Sequence, residues 1–467
     1  MEPMKAVSIN KKSKVVVIGS GIAGLTTAYR LQQKGIDVEV YEAKNRIGGR
    51  IFTARAGGNI VELGGDDILD GGFAENILSL INELELGIVK DTVLLSSYYF
   101  NGFQLYSVPD LFAKLTFTPE SLKEKLQTIT RTAQNMKEVL DELFGEENKL
   151  LKNVLHFRLA AYEGYPLENL SILFVETLYY MILGGISIAR ENKEHEKNRE
   201  NHVFYTSVKG GNSLLTEKLA SLLSGKIYTH MPLVAISQEE DKYILSFEDD
   251  QKIIADILVM AIPCPAYQTI KFGNNVIPEE TLTAIKNIAY SANSKILVPL
   301  TGPFEKGKQV IDDHMLTFFN ADQNTLTLYY TGDASFFSSD TITTVYQKEQ
   351  PIIALGFEPN SLSPYAPVLA YDKAFEEYKG PVGYSWPNDI YTGGSYSYIA
   401  AGQENLLTQL QEQDGETIKS LFAPINNRLY FAGEHTAPLV TLLGTMEGAC
   451  QSGEITARLI EKHLSMI

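Results

Sequence analysis

A chain of 467 residues is too long for one hydrophobic core, and the usual domain size divides it into about two to four compact units. Its 44% apolar and 21% charged residues exclude a disordered or fibrous protein. The formal net charge of -17, with no basic patch to offset it, argues against nucleic acid or an anionic membrane as a partner.

The first residues, Met1 to Lys14, lack the apolar core of a secretory signal, and Lys11, Lys12 and Lys14 read as a solvated lead-in. Lys14 to Glu42 then reads strand, Gly-rich turn, helix, strand, with Val15 to Ile18 and Val38 to Tyr41 as the apolar runs. Between about Val108 and Asn201 the period is helical, Pro119 and Glu120 opening one helix. Leu167 to Ala189 is the longest apolar stretch; Glu168 and Glu176 interrupt it, so a buried helix is expected there rather than a membrane span.

Val208 to Leu223 reads as a Gly-led helix and Ala255 to Pro263 as a strand of a buried sheet. Lys295 to Leu300, Leu326 to Thr331 and Ile352 to Phe357 predict strands of a second sheet. Arg428 to Ala432 is a last strand and Gly444 to His463 a closing helix; the terminal Leu459 to Ile467 is too short and polar to anchor in a bilayer. Cys264 and Cys450 are too far apart in the chain to suggest a metal site and read as packing residues. Their scarcity fits a reducing, cytoplasmic compartment.

The sharpest local signal is the GxGxxG turn Gly19, Ser20, Gly21, Ile22, Ala23, Gly24 between the first strand and its helix. Gly19 permits the tight turn, Gly21 a close approach to a pyrophosphate, and Gly24 close packing of helix on strand. Positive charge at the helix N-terminus favours the phosphates. Glu42 ends the second strand, where a carboxylate can accept hydrogen bonds from both hydroxyls of an adenosine ribose and would repel a 2′-phosphate. The turn alone leaves NAD and FAD open.

The residues C-terminal to Glu42 narrow the choice. Beyond Ala43, the run Arg46, Ile47, Gly48, Gly49, Arg50 and then Thr53 resembles the RxGGRxxT stretch of the flavin amine oxidases. Two adjacent glycines let the backbone pass under a cofactor, and Arg50 can pair with a pyrophosphate. Leu63, Gly64 and Gly65 look like that family's Gly-rich turn beside the flavin ring. Gly433 and Glu434 resemble its FAGE strand end, and Gly444, Thr445 and Met446 the head of its closing helix, whose positive end faces the flavin. Val234 matches the strand holding the adenine side, or is an ordinary core valine. Lys295 looks like the lysine that holds a water near flavin N5, or is solvated at a strand start. Trp386, Asp389, Gly393, Gly394, Ser395 and Tyr396 resemble the segment that supplies one wall of an aromatic cage, although a lone tryptophan also serves as core filler.

The resemblance implies an α/β fold: a Rossmann-like FAD-binding domain (1–90, 203–265 and 395–467) and a second, mixed-sheet substrate domain (91–202 and 266–394) with a helical insertion (108–201). It implies oxidation of a primary or secondary amine to an imine, with dioxygen reoxidising the flavin to give hydrogen peroxide, and is compatible with a homodimer. Three departures matter. Ser395 stands where some monoamine oxidases carry the cysteine linked to FAD, so a non-covalent flavin is expected. Thr445 replaces the second cage tyrosine, and the linker from Glu434 to Gly444 is longer than usual. Asp66, Asp67 and Ile68 replace an arginine that holds the carboxylate in L-amino-acid oxidases, which disfavours amino-acid substrates; Asp66, Asp67 and Asp70 are either a solvated turn or a handle for a second positive charge, as on a polyamine. The rival readings are a desaturase or dehydrogenase of a lipophilic substrate and a flavin-stabilised scaffold without turnover.

Overall fold

Val15 to Ile18 and Ile257 to Met260 are buried at every position, and such runs can satisfy their backbone groups only side by side in a sheet covered on both faces. In the computed structural model, which describes residues 13–69, 74–91, 96–191, 205–223, 225–300, 308–320, 324–349, 352–353 and 363–466, they do so. Strands β1 (Lys14–Ile18) and β2 (Asp37–Tyr41) belong to a five-stranded, all-parallel sheet in the order Ile227–Tyr228, β2, β1, Ile257–Met260, Leu429–Phe431. Helix α1 (Ile22–Gln33) crosses from β1 to β2, burying Ile22, Leu25, Ala28 and Leu31. It packs against the closing helix Met446–Met466, where a Cβ added to Gly453 would lie 2.5 Å from the carbonyl oxygen of Ala23.

A mixed eight-stranded sheet runs Val368–Leu369, Val382–Ser385, Asn293–Pro299, Thr325–Thr331, Met315–Asn320, Lys308–Ile311, Ser96–Phe100, Leu105–Ser107. Its strand Asn293–Pro299 is buried throughout, as suits an inner strand. Five helices lie between Val108 and Glu191. The one opened by Pro119 spans Pro119–Ile129, where the Thr118 hydroxyl accepts from the Ser121 N–H and the Ser121 hydroxyl accepts from the Thr118 N–H.

Two expectations are corrected. The apolar stretch ending at Ala189 forms the helix Val175–Glu191, but only 22% of Ile172–Ala189 is buried. Phe174, Leu178, Ile182 and Ile186 make one buried stripe at four-residue spacing, while Leu173, Tyr180 and Ile188 are exposed. By length and mean hydropathy (1.8) the segment is apolar enough to cross a membrane. Gly185 fits against the Phe112 ring, which a Cβ would approach to 2.4 Å. Secondly, Ile352 and Ile353 are helical rather than extended, the Ile353 N–H donating to Glu349 O; the rest of the stretch to Phe357 lies outside the described residues.

Candidate functional site

The Gly-rich turn holds its shape by backbone bonds. Gly19, at φ 102°, donates to Tyr41 O (2.8 Å), and Gly48 donates to Ser20 O (2.9 Å), which ties the second Gly-rich loop beneath the first. Gly24 does not face outward: a Cβ there would lie 2.1 Å from Gly19 O, so it serves the packing of α1 on β1. Gly21 is the opposite case, with nothing within 4 Å of an added Cβ, and no side chain caps α1 at this residue. The free N–H groups of the first helical turn therefore border open space.

That space is one continuous cavity of about 650 Å3, lined by every candidate cofactor-binding or catalytic residue except Gly24 and Arg46. At one end Glu42 receives hydrogen bonds from Ser20 N (2.8 Å), Ser20 Oγ (2.7 Å) and Lys44 N (2.9 Å), which fixes its carboxylate and leaves acceptor capacity. Ala43 and Val234 line the same cavity. Val234 sits where the pairing of Leu233–Glu239 with Lys242–Phe247 slips by one residue, so it stands outside that ladder.

Arg46 is a correction to the expectation that placed it at the cofactor. Gly48 (φ 98°) and Gly49 (φ 58°) reverse the chain between the two arginines and turn Arg50, not Arg46, toward the cavity. Arg46 instead lies under the loop, donating to Gly49 O (2.7 Å), 4.0 Å from the centre of the Phe52 ring and 3.1 Å from Asp372. Arg50 Nη1 donates to Glu434 Oε1 and to Ser395 O, both at 2.9 Å.

Glu434 gathers the far segments. Its buried carboxylate also accepts from Ser397 N (3.1 Å), Ser397 Oγ (2.6 Å) and Gly444 N (2.9 Å). Burial opposes its charge, but Arg50, His435 and these donors prevail and bring its pKa down to about 2. Gly433, Gly444 and Met446 line the wall that adjoins it. Thr445 proves to be the cap of the closing helix, its hydroxyl accepting from Gly448 N (2.9 Å). Thr445→Ala is accordingly expected to lower stability by about 1 kcal/mol, read from the urea midpoint.

At the other end Lys295 is buried, its Nζ donating to Glu62 O (3.2 Å), Gly64 O (3.0 Å) and Asp66 Oδ2 (3.1 Å). Leu63 and Gly65 border it, and Trp386 closes the wall, its indole N–H donating to Leu63 O (2.9 Å). Burial and the neighbouring Asp66 push the Glu62 carboxyl up to about 8. Tyr396 donates to Ala161 O (2.6 Å), and Tyr329 donates to the same carbonyl (3.3 Å). Asp66 and Asp67 both line the cavity, Asp66 being paired with Lys295; Asp70 lies outside the described residues.

Among the lining residues that the sequence did not single out, four bear on the chemistry. Leu316 and Phe318 alternate on Met315–Asn320, and Tyr329 lies on Thr325–Thr331; period-two patterning shows they can share a face but not which cavity it meets. Lys44 carries no motif: burial lowers its pKa, and it pairs with Asp389 and donates to the Tyr384 hydroxyl (2.7 Å).

Comparison with known proteins adds four findings. The family model described as flavin containing amine oxidoreductase matches residues 22–461. Flavin-containing amine oxidase B of Homo sapiens is 26% identical, the match covering 97% of this chain and 86% of that protein. Among solved structures, cyclohexylamine oxidase from Brevibacterium oxydans IH-35A has a TM-score of 0.69 at 17% identity, covering 97% of this chain and 99% of its own. A double mutant of putrescine oxidase has a TM-score of 0.69 at 16% identity, covering 96% and 98%.

Proposed function

The chain belongs to the flavin containing amine oxidoreductase family, and from that premise we propose that it oxidises an amine to an imine and passes the electrons to dioxygen, releasing hydrogen peroxide. As an oxidoreductase of this family it uses FAD, which when bound supplies the two-electron acceptor for the substrate. The observation that carries the reading is the continuity of one cavity from Glu42 and the uncapped end of α1 to Lys295, Tyr329 and Tyr396.

The residues fit the cofactor, because Gly21 opens a cradle that a Cβ would occupy and the α1 N–H groups beside it have no side-chain partner. In this reading Glu42 holds the adenosine ribose, Val234 the adenine side, Gly19 to Ala23 with Arg50 the pyrophosphate, and Glu434 the ribityl region. The N-terminus of the closing helix, at Thr445 and Met446, lines the cavity and would offer its partial positive charge to the flavin ring. Ser395 and the absence of both cysteines from the cavity lining support a flavin held without a covalent bond.

Leu316, Phe318, Tyr329 and Tyr396 give the substrate end apolar and aromatic walls that exclude water and position the carbon next to nitrogen. They favour an amine with an apolar substituent. Asp66, engaged by Lys295, is a poor second site for a diamine. The same walls would suit a lipophilic carbon chain, which keeps a desaturase as the second reading.

Purified protein is expected to be yellow and to release its pigment into the supernatant on acid precipitation. It is expected to form peroxide with apolar primary or secondary amines. Pigment that stays with the precipitate would overturn the non-covalent assignment. A flavin that no amine in a panel bleaches under anaerobic conditions would sink the amine reading.

A further inference from the structure

An asparagine just before a helix ordinarily turns its side chain back to cap the first turn. Asn212, which precedes the helix Ser213–Leu222, makes no such bond. It is 1% exposed, and its amide bonds elsewhere: Oδ1 accepts from Val208 N (2.8 Å), while Nδ2 donates to Gly65 O (3.0 Å) and Asp66 O (2.7 Å). With an N–H facing the oxygen and two carbonyls facing the amino group, the amide fits only one way round. The Asn212 main-chain N–H donates to the Glu62 carboxylate (2.7 Å).

These bonds complete a row. Lys295 occupies the carbonyls of Glu62 and Gly64, the Trp386 indole that of Leu63, and Asn212 those of Gly65 and Asp66, so that five consecutive carbonyls are each held by a side chain from a distant part of the sequence. In a trans peptide the C=O and the N–H that follows it point in opposite directions within one plane. Because Asn212 holds Gly65 O, the Asp66 N–H points away from Asn212. Asp66 lines the cavity and Asn212 does not. Among the described residues the Asp66 N–H has no hydrogen-bond partner, and a main-chain donor so placed calls for an acceptor.

We propose that Asn212 is a positioning residue for the oxidation: it sets the Asp66 peptide so that its N–H is offered to an acceptor atom of the bound flavin, where it stabilises the charge that the ring gains on reduction. This rests on the flavin reading above and adds to it the source of the geometry at the reacting end. Asn212 touches neither flavin nor substrate and acts only through that main-chain donor. Lys295 holds the same segment from the sheet strand Asn293–Pro299, so the peptide is fixed from two sides.

The test uses the FAD-loaded protein and two uncharged variants. Asn212→Ser leaves a good capping residue before the helix but is too short to reach the two carbonyls; Asn212→Leu keeps the size and removes both donors. The midpoint potential, measured with dithionite against a reference dye, needs no amine, so it decides this assignment even where the amine reading fails. Each variant is expected to lose at least about tenfold in the equilibrium for two-electron reduction, a lowering of about 30 mV, and to shift the long-wavelength flavin absorption band. Where an apolar amine reduces the flavin, the limiting rate is expected to fall at least about tenfold, with the half-saturating amine concentration within about twofold of wild type. A potential and an absorption band equal to wild type in a variant that keeps its FAD would overturn the assignment, and a lowered Tm beside them would mark Asn212 as structural only.

Discussion

Glu434→Gln is expected to destabilise the protein by about 3 to 5 kcal/mol, read from the urea midpoint, and to weaken FAD binding in the same preparation. Glutamine keeps the size but removes the charge that pairs with the Arg50 guanidinium, and with one acceptor oxygen in place of two it turns an amide NH2 either toward Arg50 or toward the Ser397 hydroxyl and Gly444 N–H. The wild-type pH profile carries the same information. A carboxyl brought from 4.5 to about 2 contributes stability that is fully present above pH 4.5 and is lost as pH falls from there toward 2. The amount is about 3 kcal/mol, and the variant should lack that part of the acid transition. An unchanged midpoint together with an unchanged acid limb would show that Glu434 is not the knot between these segments.

Lys295→Met is expected to slow anaerobic reduction of the flavin by a substrate amine by about tenfold to a hundredfold. The three N–H donors of Lys295 meet three acceptors, so the ammonium fixes the Glu62 to Asp66 segment that lines the reacting end. Methionine fills similar space and removes every bond. A second readout separates this role from general damage. Glu62 has a folded pKa raised from 4.5 to about 8, so its contribution to stability is complete below pH 4.5 and is lost as pH rises through about 8. Lys295 is one of the influences that lower that pKa, so the variant should move the upper end of the window to higher pH. A reduction rate within twofold of wild type would remove Lys295 from any part in the reaction.

Local features of the site are legible in the sequence because they depend on a few adjacent residues. The Gly19 to Gly24 turn, Glu42 at the end of β2 and the head of the closing helix each follow from short-range geometry. Arg46 is the converse case: two arginines four residues apart are equivalent in sequence, and the turn at Gly48 and Gly49 together with partners distant in the chain places Arg50 on the cavity and Arg46 beneath the loop. Ile352 and Ile353 show the limit of apolar runs, which fit a strand or a short buried helix equally well. The Val175–Glu191 helix shows another, since apolar composition gives the helix but not how much of it neighbouring elements cover. Lys44, Tyr329 and Asn212 depend on contacts between distant parts of the chain, which no local pattern records.

The order of the parallel sheet bears on how the protein is made. Its outer strand Leu429–Phe431 and the Glu434 carboxylate come near the end of the chain, while the dinucleotide turn comes near the start. During synthesis the turn leaves the ribosome long before the residues that complete its surroundings, so a nascent chain displays the fingerprint without a grip on the vitamin-derived ligand. Truncation before Leu429 would yield a polypeptide with an intact signature and no lasting colour.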